Sequence, residues 1–202
     1  MILSNMGRYD EAITHLRTAI KFYPREPEVF YQLGNAYQQF GDLNNAEQTL
    51  RTALELSSAD PRILTSLGQL YLASGKAEQS IQYFNKLLAI DKNNFLAHSN
   101  LSVAFYNINN SVTALKHCGH ALRIAPDNLA SRQNIAPLLN ASALNSLPPE
   151  VWDEVERTFY HKGIDPDLLV PQTVRHLKNK KPFKNLYACS QSTDFESFTI
   201  EV

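Results

Sequence analysis

Hydrophobic and small residues return along the first two thirds of the chain at a fixed interval of 34 positions. Ala12, Ala46, Ser80 and Ala114 form one such series. Leu16, Leu50, Phe84 and Cys118 form a second, Ala19, Ala53, Leu87 and Ala121 a third, and Tyr37, Tyr71 and Phe105 a fourth. Gly7, Gly41 and Gly75 keep the same spacing, as do Gly34 and Gly68. A period of this length predicts helical hairpins that stack on one another, because one hairpin cannot bury its own apolar face. Small residues such as Gly34, Gly68, Ala46 and Ala114 let two helices approach closely, and the Leu, Tyr and Phe positions fill the space between successive hairpins. Gly41 and Gly75 fall where one helix must turn into the next, a place that favours left-handed backbone. Pro24, Asp60-Pro61 and Pro126-Asp127 interrupt the chain between hairpins. Ser102 and Asn109 replace the two glycines in the last copy, and Asn tolerates the same left-handed turn.

This register divides residues 1–128 into a partial copy, 1–26, and three full copies, 27–60, 61–94 and 95–128. In the partial copy the first helix is cut short. Ile2, Leu3 and Met6 read as the tail of a helix awaiting a neighbour, so the chain is expected to begin inside a longer array. Beyond the array, Ile135, Leu138 and Leu139 suit a capping helix over residues 129–144, which Pro137 would kink or break. A helical extension is expected over 145–189. It has a start at Ser146–Glu150 leading into Val151, Trp152, Val155 and Phe159, and a second start at Asp165-Pro166 leading to Lys178–Lys181. Residues 190–202 are expected to form a weakly ordered tail.

The series Phe30, Leu33-Gly34, Tyr37, Gly41, Ala46, Leu50, Ala53 resembles the motif of the tetratricopeptide repeat. That family closes each copy with a proline, present here as Pro24 and Pro126 and replaced in this copy by Ser58. The resemblance implies an all-α fold, a right-handed superhelix or α-solenoid of helix-turn-helix repeats, and a role as a protein-interaction scaffold rather than an enzyme. The stretch Ile164-Asp-Pro-Asp-Leu-Leu169 and its helix resemble the segment that follows the repeats in tetratricopeptide-linked methyltransferases. That second resemblance implies an alternative, in which the chain is the recognition part of a larger methyltransferase whose catalytic domain is missing from this chain; an amide-lined groove similar to the repeats that feed glycosyltransferases would extend the alternative to that class.

Repeats of this family line a concave surface with the first helix of each hairpin. Carried over, the resemblance implies a groove for a protein or peptide partner made by Glu28, Tyr31, Asn35 and Gln38, then Arg62, Thr65, Gln69 and Leu72, then Leu96, Ser99, Asn100, Val103 and Tyr106. The amides of Asn35, Gln69 and Asn100, with Gln32 near them, suit the backbone of an extended peptide, and Tyr31 and Tyr106 offer contact area. Some family members clamp a terminal carboxylate with lysines, an arginine and asparagines. Here the clamp positions hold Tyr31, Ser66, Leu96 and Asn100, only Asn35 matches, and a chaperone-tail clamp is not expected.

Composition narrows the remaining chemistry. With 19 Lys+Arg against 20 Asp+Glu the chain has no strong field to gather a polyanion. The patch Lys178, Lys180, Lys181 and Lys184 reads as a solvated helix end rather than a nucleic-acid site. No apolar stretch reaches the length of a membrane helix, and the start lacks the layout of a signal peptide. The two cysteines, Cys118 and Cys189, are far apart and fit a reducing, cytoplasmic setting. His117-Cys118-Gly119-His120 holds metal-ligand residue types, but Cys118 occupies a core position of the repeat, so a buried thiol flanked by exposed histidines is expected and no metal site. Ser74-Gly75-Lys76 is not a phosphate loop, since Leu70 and Ala77 stand where that motif needs a glycine and a hydroxyl. No cofactor motif and no catalytic constellation is present.

Overall fold

The computed structural model describes residues 8–125 together with 128, 131, 133, 134 and 137–139. Every element among the described residues is helical: α1 (Tyr9–Phe22), α2 (Pro27–Phe40), α3 (Leu43–Leu56), α4 (Pro61–Ala73), α5 (Ala77–Ile90), α6 (Phe95–Asn107) and α7 (Ser111–Ile124). The chain forms two compact units, Met1–Asn109 and Asn110–Val202. In the first, each helix packs on the next, and the first helices of neighbouring hairpins also meet, α2 with α4 and α4 with α6.

Local sequence accounts for where the helices start and stop. Asp42, Asp60 and Asn94 cap α3, α4 and α6, each accepting from a backbone N–H of its first turn. Pro27 and Pro61 stand at the first helical position of α2 and α4, where a missing N–H costs nothing. The turns inside hairpins are left-handed, with φ of +92° at Gly41 and +72° at Gly75. Asn109 takes the equivalent place at φ +59°, so it does replace the glycine of the earlier copies. Past each glycine the chain closes back on its helix: Asp42 N–H donates to the Tyr37 carbonyl at 3.0 Å and Lys76 N–H to that of Tyr71 at 2.9 Å.

The core of the first unit lies between hairpins as much as within them. Ile13 on α1 packs with Leu33 and Ala36 on α2. Ala46, Leu50 and Ala53 on α3 join Ile63, Leu67, Leu70 and Tyr71 on α4, and Phe84 and Leu87 on α5 join Ala97 and Leu101 on α6. Each second helix thus shares its apolar face with the first helix of the following hairpin, the arrangement that makes a repeat depend on its neighbour. Phe30, Tyr37 and Phe105, expected in the core, are half-buried against these clusters, while Phe84 and Tyr71 are buried.

In the second unit, α7 buries Ala114, Leu115, Cys118, Ala121 and Leu122. Beyond it Ser131, residues 133–134 and residues 137–139 are helical, Pro137 included. Leu138 and Leu139 are buried. The expected extension over 145–189, the tail over 190–202, the lysine patch and Cys189 lie outside the described residues.

Candidate functional site

Three first helices, α2, α4 and α6, carry all the residues assigned to the groove. Their buried positions are Leu33, Gly34 and Ala36 on α2, Ile63, Leu64, Ser66, Leu67, Gly68, Leu70 and Tyr71 on α4, and Ala97, His98, Leu101, Ser102 and Ala104 on α6. None of the thirteen groove residues is among them. Arg62, Gln69, Leu96 and Tyr106 are exposed, and Glu28, Tyr31, Asn35, Gln38, Thr65, Leu72, Ser99, Asn100 and Val103 are half-buried. Ser66, at a clamp position, is buried.

Three of the groove residues come together at the N-terminal ends of α2 and α4. Arg62 Nη1 lies 2.9 Å from Glu28 Oε2, which ties one hairpin to the next. Its Nη2 also donates to Asp60 Oδ2 at 2.8 Å, and its guanidinium sits 5.1 Å from the centre of the Tyr31 ring. These partners raise the Arg62 pKa, the hydrogen bond it donates to Asp60 first, and the same hydrogen bond holds Asp60 below the ordinary carboxylate range. Tyr31 also packs on the core cluster of α3 and α4. Glu28, Tyr31 and Arg62, expected to meet a partner, thus have internal partners as well. A signal for the pairing was present, since Glu28 and Arg62 are opposite charges one repeat apart and so fall on touching helices.

The amides divide in the same way. Asn100 Nδ2 donates to the Leu96 carbonyl at 2.9 Å, and Gln32 Nε2 donates to Glu28 Oε1 at 2.6 Å. Asn35, Gln38 and Gln69 form no side-chain hydrogen bond with another described residue, so their donors and acceptors remain open to solvent. Thr65 Oγ1 is spent on the Pro61 carbonyl at 2.7 Å. Leu72, Leu96, Val103 and Tyr106 give the side nearer α6 an apolar character, with Leu96 40% and Tyr106 42% exposed.

A second polar cluster, away from the assigned positions, joins α3, α4 and α5. Tyr71 Oη donates to Glu47 Oε1 at 2.8 Å, Lys76 Nζ lies 3.3 Å from Glu47 Oε2, and Tyr71 stacks on Tyr83 with ring centres 5.3 Å apart. Burial pushes the Tyr71 phenol up, with help from Glu47, and the hydrogen bond from Tyr71 holds Glu47 down. Each group here answers another in the same cluster, so it reads as a brace between hairpins. Tyr71 follows from the repeat as a core position, but its bond to Glu47 does not, because Glu47 is 24 residues away on a polar helix face.

Around the former metal-ligand candidate, Cys118 is buried and donates to the Ser131 carbonyl at 3.3 Å. His117 and His120 are half-buried rather than exposed, and His120 Nδ1 lies 2.9 Å from Arg123 Nη2. No cluster of three or more His, Cys, Asp or Glu side chains suited to a metal ion occurs among the described residues, and no helix among them is long and apolar enough to cross a membrane.

Comparison with known proteins agrees with the hairpin arrangement. Family models described as TPR repeat and tetratricopeptide repeat match residues 3–41 and 26–93. The chain thus carries tetratricopeptide repeats over residues 3–93. Among solved structures it is similar to MamA residues 41 to the end from Desulfovibrio magneticus RS-1, at 15% identity and a TM-score of 0.66, over 79% of this chain and 89% of that one. It is also similar to the Arabidopsis OM64 TPR domain, at 24% identity and a TM-score of 0.53, over 55% of this chain and 93% of that one. The first TPR of Spaghetti (RPAP3) bound to the HSP90 peptide SRMEEVD matches at 19% identity and a TM-score of 0.55, over 59% of this chain and 94% of that one. No curated protein sequence matches the chain.

Proposed function

We propose that this protein is a non-enzymatic interaction scaffold that holds a segment of another protein, or a peptide, along the inner face of α2, α4 and α6. The observation that carries the reading is the split on those three helices, where the interleaved apolar positions are buried and all thirteen groove residues keep access to solvent. Contact between α2 and α4 and between α4 and α6 supports one continuous surface. The peptide held by the similar RPAP3 domain supports the same class of ligand.

Partner capture tests the reading. Wild-type protein and a variant carrying Asn35→Ala, Gln69→Ala and Tyr106→Ala are used as bait in an extract of the source cell. Proteins retained by the wild type and lost by the variant are the expected result. Partners held equally by both would contradict it.

A further inference from the structure

We infer that the occupant of this groove is an uncharged, extended stretch of a partner chain, bound through its backbone and an apolar side chain, and that a terminal carboxylate has no place in it. The inference rests on the scaffold reading and narrows it.

The argument begins with charge. Across the whole of α2, α4 and α6 the Asp, Glu, Lys and Arg residues are Glu28 and Arg62 alone, and His98 on α6 is buried. The second helices differ, with four such residues on α1, three on α3 and two on α5. Charge has thus been kept off the first helices and placed on the others. The single cation of the inner row is also occupied: Arg62 meets Glu28 at 2.9 Å and Asp60 at 2.8 Å. A carboxylate approaching it would have to displace one or both acids, and no second cation on these helices would assist. A ligand rich in lysine fares no better, because Glu28 is held by Arg62 and Gln32. Electrostatic complementarity therefore selects a neutral segment.

What remains open fixes the rest of the chemistry. Asn35 and Gln69 stand one repeat apart on touching helices, each with an amide that offers both a donor and an acceptor. An extended chain presents unpaired N–H and C=O groups that suit such amides, whereas a helix has satisfied most of its own. Beside them Leu72, Val103 and Tyr106 provide apolar surface that water covers in the free protein and an apolar side chain would cover in the complex.

The test uses three mixtures of short acetylated and amidated peptides: one built from Gly, Ala, Ser, Asn, Leu, Val, Phe and Tyr, one with Asp and Glu added, and one with Lys and Arg added. A fourth mixture repeats the neutral set with methylated backbone nitrogens. Each is passed over the immobilised full chain and over Gln69→Ala and Asn35→Ala variants whose folding is checked by circular dichroism. The neutral mixture is expected to be retained about tenfold better than either charged one, with little change between about 0.05 and 0.5 M salt, since no ion pair with the ligand is being screened. Loss on backbone methylation and in both variants is expected as well. Preferential retention of a charged mixture, lost in the variants and weakened by salt, would overturn the inference while leaving the scaffold reading intact. Equal retention of the methylated mixture would overturn the extended, backbone-bound occupant. Equal retention by wild type and variants, or none at all, would overturn both.

Discussion

A Cβ placed on Gly34 would lie 2.5 Å from Cγ of Leu50, on the second helix of the same hairpin. Gly68 stands in the same relation to Phe84, whose Cζ would be 2.7 Å away. The opposing side chains are fully buried and cannot swing aside. Helix propensity alone favours alanine by about 1 kcal/mol in each case. Overpacking of a filled core costs about 1–3 kcal/mol and wins here. Gly34→Ala and Gly68→Ala are therefore expected to lower the denaturant midpoint, and Leu50→Ala introduced with Gly34→Ala should cost less than the two changes added together.

Gly41, Gly75 and Asn109 are needed for another reason, since a Cβ on Gly41 or Gly75 would meet nothing within 4 Å. Their positive φ excludes ordinary side chains. Gly41→Val is expected to destabilise by about 1–2 kcal/mol through backbone strain alone, whereas Asn109→Gly should be neutral or slightly stabilising. Thermal melts of the two variants separate conformation from packing.

Tyr31 and Tyr106 hold equivalent interest for a partner but unequal places in the fold. Tyr31 packs on the core cluster and under Arg62, and Tyr31→Ala is expected to cost about 1–2 kcal/mol of stability from lost apolar burial. Tyr106 is 42% exposed, and its replacement by alanine should leave the melt unchanged. Binding lost in Tyr106→Ala can then be assigned to the groove, while binding lost in Tyr31→Ala requires a stability control.

The brace between Tyr71 and Glu47 makes stability depend on pH at both ends. The phenol of Tyr71 is raised in the folded state, chiefly by burial, so its contribution is present below about pH 10 and is lost as pH climbs through the folded value. Glu47 is lowered, chiefly by the Tyr71 hydrogen bond, so its contribution is present above about pH 4.3 and is lost as pH falls through the folded value. Tyr71→Phe removes the bond to a charged acceptor and is expected to cost about 1.5 kcal/mol near neutrality. Denaturation measured across pH should show that variant with a shallower loss at alkaline pH than the wild type.

Much of this fold is legible in the sequence because a repeat states each contact several times. Leu50 opposite Gly34 and Phe84 opposite Gly68 occupy the same two positions in successive copies, and the left-handed turn at Asn109 follows from the glycines at Gly41 and Gly75. Contacts that occur once are harder to read. Periodicity placed Asn100 on an accessible face, but it holds no information that the amide would turn to the Leu96 carbonyl of its own helix. Arg62 reads as an available cation in a repeat-by-repeat reading, because two of its partners, Glu28 and Tyr31, reach it from α2 through the stacking of hairpins, while the third, Asp60, is the cap of its own helix two residues away.

The central claim is that the inner face of α2, α4 and α6 holds the partner, and the side-chain amide signals of Asn35 and Gln69 test it most directly. Nitrogen–proton correlation spectra are recorded as a captured partner segment is added to the full chain. Selective shifts of these two amides, with the Tyr71–Tyr83 face unchanged, are the predicted result. Unmoved Asn35 and Gln69 signals alongside shifts around Glu47, Lys76 and Tyr83 would place the partner on the brace and contradict the account.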